Sequence, residues 1–270
     1  MSDVFQQKDP SFLSIQLWEE HNASLVAGFT TRNGGVSHPP FNTLNLGMHV
    51  NDCHQDVLSN RHQLSDKLDF PLKQWVAAEQ VHDTHIHIVG NYDKGKGAET
   101  YETSIKDVDG LITQKTAILC TAFFADCVPL YFYDPVTSYI GIAHAGWKGT
   151  TNKIGAHMVE RLQTLGVNPV NLMVVIGPSI SQKRYEVDDK VIKQIDVHGR
   201  EDVVIKVDTN KYLLDLKLLN KNILLEKGLK ESNINTTNYC TYEDQELFYS
   251  HRRDQGKTGR MLGYIGFRNA

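Results

Sequence analysis

The most constraining feature of this 270-residue sequence is an apolar run, LCTAFFADCVPLYFYDP, at residues 119–135. β-Branched and aromatic residues dominate this run and the segment TSYIGIAHAG that follows it, which is typical of buried strands. From Ala117 onward the pattern predicts two long buried strands joined by a turn at 134–138. Asp126 and Cys127 interrupt the first of them, and a charge buried there needs a partner.

The rest of the chain predicts strands and helices without strict βαβ alternation. Helical spacing of apolar residues predicts helices at 52–68, 154–165 and 213–227, the second of them capped by Thr150 or Thr151. Alternating or continuous apolar runs predict strands in FLSIQLW, SLVAGFTT, LMVVIGPSI and MLGYIGF, and at 75–80, 86–89 and 238–241. We therefore predict an α+β fold, a single domain over 1–270 in which two mixed sheets pack together with helices outside.

The composition argues against nucleic acid and membranes as partners. The 28 basic and 32 acidic residues give a net charge of −4, so no overall basic field attracts nucleic acid or an anionic membrane. The amino terminus lacks the basic and apolar regions of a signal peptide, and no apolar run approaches the length of a membrane span. The four cysteines form no C-x-x-C pair and are expected to be reduced. We expect a cytoplasmic protein that acts on small molecules.

Three residues are candidates for one chemical site. A turn centred near residue 136 places Cys127 and His144 almost opposite each other on neighbouring strands. A Cys facing a His suits either an activated thiolate nucleophile or a metal site. His82, at the end of the apolar segment WVAAEQVH, is the candidate third ligand, and one Cys with two His is a ligand set of catalytic zinc. Asp126 is expected to point to the opposite face from Cys127 and to act as a hydrogen-bond acceptor behind the ligands or as an anchor of the strand edge, rather than as a ligand.

Seven blocks in this sequence resemble the YfiH/LACC family: TTRNGGVSHPPFNTLNLG, QVHDTH, DGLIT, ADCVPLYFYD, IGIAHAGWKGT, IGPSI and YSHRRDQGKTGR. They follow one another over about residues 28–267. The resemblance implies a layered α/β/β/α sandwich and a metal site formed by His82, Cys127 and His144, which would also be the catalytic residues. It implies Zn²⁺ as the cofactor, with Cu²⁺ as the alternative.

The resemblance also implies the reaction. It is purine nucleoside phosphorolysis, in which adenosine, inosine or S-methyl-5′-thioadenosine reacts with phosphate to give the free base and (methylthio)ribose 1-phosphate, accompanied by adenosine deamination. Five residues in the matching blocks or near them are expected to bind substrate: Arg32, Ser37, Asn45, Arg61 and Arg253. Lys148, Arg252 and Arg260 are further candidates, because holding an anion calls for Arg, Lys and backbone N–H groups.

Two alternatives stay open. A copper-dependent, laccase-like polyphenol oxidase could use the same His₂Cys set, although HIH is the only H-x-H block in the chain. A metal-free Cys–His hydrolase would need only Cys127 and His144. The sequence leaves the native metal, the preferred nucleoside and the oligomeric state undetermined.

Overall fold

A computed structural model describes residues 3–196 and 200–269 of the chain. Two six-stranded sheets form the centre of the fold, and each sheet contains both parallel and antiparallel neighbours. The first sheet has, in spatial order, β1 (Phe5–Asp9), β2 (Phe12–Ile15), β3 (Leu25–Thr30), β15 (Met261–Phe267), β7 (Ile118–Phe124) and β4 (Trp75–Ala77). The second has β14 (Ile234–Thr236), β10 (Met173–Ile176), β8 (Val128–Asp134), β9 (Tyr139–Ala145), β6 (Gly110–Thr113) and β5 (Ile86–Ile88).

A third, smaller sheet and six α-helices complete the described part of the chain. The small sheet has the order β11 (Glu186–Asp188), β13 (Lys211–Leu214) and β12 (Val204–Asp208). The helices are α1 (Gln16–His21), α2 (His54–Leu68), α3 (Trp147–Thr151), α4 (Ile154–Thr164), α5 (Asp189–Ile192) and α6 (Leu216–Glu226). Short 3₁₀ turns lie at Leu72–Gln74, Asn91–Asp93, Tyr101–Thr103, Gln182–Arg184 and Glu231–Asn233. None of the helices in the described ranges combines the length and apolar character needed to cross a membrane.

The layers follow from which face each side chain occupies. On β8, Tyr131 and Tyr133 pack into the core between the two large sheets, while Leu130 and Phe132 pack on the opposite face, as the two-residue period of a strand requires. That opposite face is covered by α4 and α6, and α2 covers the outer face of the first sheet. The predicted α+β fold with an α/β/β/α arrangement is therefore confirmed.

The main error in the predicted elements concerns the run at 119–135. It is two strands, β7 and β8, which belong to different sheets and are separated by a bend at residues 125–127. The backbone of Asp126 has φ +85°, a conformation that an Asp side chain tolerates better than most and that a continuous strand does not allow. The bend therefore carries the chain from one sheet to the other. The predicted hairpin between 134 and 138 is confirmed.

Smaller corrections concern element ends. FLSIQLW divides into β2 and α1, and the strand expected at 238–241 lies earlier, at β14. Thr150 does not cap the helix at 154–164, because Thr150 and Thr151 belong to the short helix α3 and the cap position is Lys153, with φ +62°. Helices α2, α4 and α6 lie within three residues of their predicted bounds.

Candidate functional site

The bend between β7 and β8 is held by the Asp126 carboxylate. It accepts hydrogen bonds from Thr241 Oγ1 at 2.7 Å, Ser250 Oγ at 3.0 Å and the backbone N–H of Arg252 at 2.7 Å. Asp126 is thus a buried anchor for the C-terminal segment, consistent with its predicted role, and its neighbour Cys127 is left half-buried at the start of β8.

The three predicted ligands come together. The ligand atoms of His82, Cys127 and His144 all lie within 4.8 Å of one another, and Cys127 Sγ is 4.0 Å from His82 Nε2. His82 is exposed, Cys127 is half-buried and His144 is buried, so the group is open to solvent on one side. We call these three residues the ligand cluster. They could hold one metal ion.

The approach of the three side chains depends on local backbone details. In the observed register Pro129, rather than Cys127, lies opposite His144, so the predicted pairing was offset by two residues. His82 lies in a turn with φ +62°, beyond the end of β4. A Cβ atom at Gly146 would lie 2.8 Å from His82 Cδ2 and 3.1 Å from Cys127 Sγ, so only glycine leaves room for both side chains.

Asp109 joins two members of the ligand cluster and was not singled out from the sequence. Its carboxylate accepts a hydrogen bond from His144 Nδ1 at 2.8 Å and hydrogen bonds from the backbone N–H groups of Val81, His82 and Asp83 at 2.9–3.2 Å. This contact places the proton of His144 on Nδ1 and leaves Nε2 free to act as a ligand. The available signal was the position of Asp109, a carboxylate next to the buried strand β6.

The ligand cluster favours a thiolate. Burial opposes ionisation of Cys127, but a positively charged His144 and the nearby His82 outweigh it and lower the thiol pKa to about 6. Burial also opposes protonation of His144, yet the Cys127 thiolate and the Asp109 carboxylate raise its pKa to about 9. Without metal, the two groups therefore form a thiolate–imidazolium pair at neutral pH. The thiolate is the form of Cys that ligates metals and reacts with electrophiles.

This pair predicts how Cys127 reacts with iodoacetamide. In metal-free protein the labelling rate should be high at pH 7 and fall as the pH is lowered through about 6, because protonation removes the thiolate. His144→Ala should move the midpoint upward, toward 9, and added Zn²⁺ should suppress labelling. Peptide mapping by mass spectrometry gives the rates. Equal labelling of Cys127 in zinc-loaded protein with and without a chelator would exclude it as a metal ligand.

The ligand cluster forms part of the wall of a cavity of about 410 Å³, which we call the central cavity. Its wall consists of His49, Ala78, Gln80, His82, Tyr101, Phe123, Ala125, Asp126, Cys127, His144, Trp147, Ile180, Tyr185, Leu216, His251, Arg252 and Arg260. Asp126 is the one acidic residue of this lining, against two arginines. The further candidates Arg252 and Arg260 therefore lie at the cavity, whereas Lys148 is outside this lining.

The structure places the five predicted substrate-binding residues outside this lining. Arg32 donates to the backbone oxygens of Asn42 and Gln245 and lies over the ring of Tyr249. Arg253 donates to the backbone oxygens of residues 241, 242 and 248 and to the Asp254 carboxylate. Both guanidinium groups connect loops around the site, and a contact with substrate stays a prediction for them.

Arg61, Ser37 and Asn45 are buried. Arg61 is 1% exposed and donates to the backbone oxygens of residues 46, 97 and 98. The hydroxyl of Ser37 and the amide of Asn45 both donate to the Asp52 carboxylate. These three side chains stabilise the glycine-bearing loop at 32–52, and direct substrate binding by them is likewise untested.

The aromatic part of the cavity wall was missed by sequence reasoning. Phe123, Trp147 and Tyr185 come from β7, α3 and the segment before β11. Phe123 lies in an apolar run where a core position is the ordinary interpretation, whereas Trp147 and Tyr185 are single aromatic residues next to charged ones. Only the meeting of these segments in space distinguishes them from core residues.

Comparisons with known proteins agree on one group of relatives. A model of the family described as "multi-copper polyphenol oxidoreductase laccase" matches residues 26–268, a range that includes the whole ligand cluster. The protein named purine nucleoside phosphorylase YlmD from Bacillus subtilis is 46% identical, with 98% of each chain covered. Its namesake from Geobacillus stearothermophilus is 42% identical, covering 99% of this chain and 98% of that protein.

A solved structure extends the agreement to the fold. The crystal structure of the hypothetical protein YfiH from Bacillus licheniformis superposes with a TM-score of 0.95 at 43% identity, covering 99% of this chain and 100% of that one. The similarity therefore includes both large sheets and the segments that carry the ligand cluster.

Proposed function

The chain belongs to the multi-copper polyphenol oxidoreductase laccase family, and within that family we propose that it is a purine nucleoside phosphorylase whose active site is the central cavity. The observation that carries the proposal is the ligand cluster, which opens into a nucleoside-sized cavity. The relatives named purine nucleoside phosphorylase are similar over nearly their full length, which supports the same reaction class here.

The cavity wall suits a purine nucleoside. A volume of about 410 Å³ lies in the usual range for small-ligand sites. Phe123, Trp147 and Tyr185 present aromatic surface against which a planar base can stack. Gln80 fixes Phe123, since its side chain accepts from the N–H of Phe123 and donates to its backbone oxygen. We propose adenosine, inosine and S-methyl-5′-thioadenosine as substrates.

The residues present fit a metal ion. One low-pKa thiolate and two imidazoles are a donor set of catalytic zinc, with one coordination position left for water or substrate. We propose that His82, Cys127 and His144 hold Zn²⁺. A bound zinc ion would supply Lewis-acid polarisation and activation of water, which is the chemistry that the proposed adenosine deaminase activity needs. Asp109 would keep the Nδ1 proton on His144, and His82 would form the solvent-exposed side of the site.

Phosphorolysis places defined demands on the cavity. The bond between C1′ and the purine nitrogen breaks, a phosphate oxygen bonds to C1′, and the proton of the phosphate ends on the purine. Attack by water at C1′ would give free ribose instead of ribose 1-phosphate, so the site has to favour phosphate over water. The cationic lining favours the anionic co-substrate.

Two other reactions have some support. The family description names copper oxidoreductases, but within residues 3–196 and 200–269 only one group of His, Cys and acidic residues could hold a metal, whereas multicopper chemistry needs several. The thiolate–imidazolium pair of Cys127 and His144 also suits a metal-free hydrolase, a function in which His82 would have no part.

One assay separates the phosphorylase from the two alternatives. Purified protein is incubated with inosine, with and without inorganic phosphate, in the absence of oxygen, and the products are separated by chromatography. We expect hypoxanthine and ribose 1-phosphate only when phosphate is present. No release of base in this assay, together with oxygen uptake on a phenol in a separate aerated assay, would instead establish the oxidase.

A further inference from the structure

The guanidinium of Arg260, in the cavity wall, has N–H groups that are not bonded to any acceptor in the described part of the chain. Arg260 Nη1 donates to the backbone oxygens of Thr258 and Gly259, at 2.9 and 3.0 Å. Within residues 3–196 and 200–269, no protein acceptor is bonded to its Nε or Nη2, and no carboxylate lies within ion-pair distance. A half-buried guanidinium with an open edge is suited to bind an oxyanion through two parallel hydrogen bonds.

The loop at 45–47 holds the backbone of Arg260 and packs against the stem of its side chain. Asn45 Oδ1 accepts from the backbone N–H groups of both Arg260 and Gly47, and the Leu46 N–H donates to the Arg260 backbone oxygen. A Cβ atom at Gly47 would lie 2.7 Å from Arg260 Cγ, so any larger residue would displace the arginine. Asn45 and Gly47 thus act on the cavity through Arg260.

The surroundings of Arg260 favour an anion. The carboxylate oxygens of Asp126, the acidic residue of the lining, are already bonded by three donors. Gly47 packs against both His49 and Arg260, since a Cβ atom there would lie 3.3 Å from His49 Cε1 and 2.7 Å from Arg260 Cγ. His49 is therefore close to Arg260. Desolvation in the cavity and the charges of Arg260 and Arg61 lower the pKa of His49, so its neutral ring can offer an N–H donor.

We propose that Arg260, positioned by Asn45 and Gly47, binds the phosphate that the reaction consumes. This assignment rests on the proposed phosphorylase function. The open guanidinium edge would hold two phosphate oxygens and leave a third free to bond to C1′ as the bond to the purine breaks. The phosphate proton leaves with the purine, and Arg260 keeps its own protons throughout.

The test is the dependence of phosphorolysis on phosphate concentration. Arg260→Gln should raise the KM for phosphate roughly 10- to 100-fold, because a charge-assisted bidentate contact is lost, while the KM for inosine changes less than about twofold. Arg184→Gln is the charge-matched control, since Arg184 is exposed, pairs with Glu243 and lies outside the cavity lining. It should leave the phosphate KM unchanged.

Two further variants separate charge from position. Arg260→Lys keeps the positive charge but loses the planar pair of N–H donors that can bind two oxygens at once. Its phosphate KM should therefore lie between those of the wild type and Arg260→Gln. Gly47→Ala keeps the guanidinium but displaces it, and should raise the phosphate KM as well. An unchanged phosphate KM in both Arg260→Gln and Gly47→Ala, with wild-type turnover of inosine, would overturn the assignment and leave the phosphorylase function standing.

A binding measurement makes the assignment independent of catalysis. Inorganic phosphate, compared with chloride at equal ionic strength, should raise the melting temperature of the wild type and of Arg184→Gln, but not that of Arg260→Gln. If the wild type cleaves no nucleoside yet shows this pattern, the anion site stands and the proposed function fails. If phosphate stabilises Arg260→Gln as much as the wild type, the assignment to Arg260 is wrong.

Discussion

Replacing His82, Cys127 or His144 singly with alanine should abolish tight metal binding and lower phosphorolysis and deamination by about a thousandfold or more. Each variant should still fold, because a chain with hydrophobic cores of this size does not depend on one metal ion for its stability. Metal content by elemental analysis, circular dichroism and turnover of inosine and adenosine provide the measurements. The double variants should be hardly worse than the single ones, since three ligands of one ion act as a unit.

His82→Ala is the variant that distinguishes a metal-dependent enzyme from a metal-free hydrolase. A metal-free hydrolase would need the Cys127–His144 pair and would tolerate His82→Ala. His85→Ala is the matched control, because this exposed histidine lies three residues along the chain and bonds to the Asp107 backbone oxygen instead. Full metal occupancy and near-normal turnover in His82→Ala, together with inactivity in Cys127→Ala, would contradict the shared metal site. They would show instead that Cys127 acts as a nucleophile.

Local signals in the sequence predicted two packed sheets with helices outside and indicated the ligand cluster, whereas the order of the layers came from the family resemblance. Periodicity of apolar residues locates α2 and α6, and the hairpin of β8 and β9 follows from two apolar runs around an Asp-Pro turn. Polar residues inside apolar runs are energetically costly, so Cys127 and His144 stood out as functional candidates. The fold class needed no more than these patterns.

Two of the errors, the missed bend and the assignment of the arginines, have a common physical origin in long-range hydrogen bonds. The bend at Asp126 depends on hydrogen-bond donors from residues 241, 250 and 252, more than a hundred positions away. The apolar run itself contains no sequence pattern that predicts these hydrogen bonds. The arginines show the same limit. Arg61 is bonded to backbone oxygens while Arg260 keeps open donors, and a sequence cannot tell a guanidinium held by the backbone from one that faces a cavity.

Asp109→Asn should weaken zinc binding by about 10- to 100-fold, the usual cost of losing a carboxylate that orients a histidine ligand. The carboxylate accepts from His144 and from three backbone N–H groups around His82. An amide cannot accept from all of them, and its NH₂ group would face one of the donors. Both histidines should then be free to move, and the free energy of unfolding should fall by about 2 kcal/mol.

Asp93→Asn is the matched control for Asp109→Asn. Asp93 is also a buried carboxylate that bonds a histidine, His87, and a backbone N–H, that of Gly90, but its hydrogen bonds do not involve the ligand cluster. It should lose stability without losing zinc affinity, as measured by competition with a chromogenic chelator. Because Asp109 only positions the ligands, excess zinc should restore much of the activity of Asp109→Asn, whereas it should not rescue His144→Ala. Equal zinc affinity in the wild type, Asp93→Asn and Asp109→Asn would show that the ligand cluster is held in place without this carboxylate.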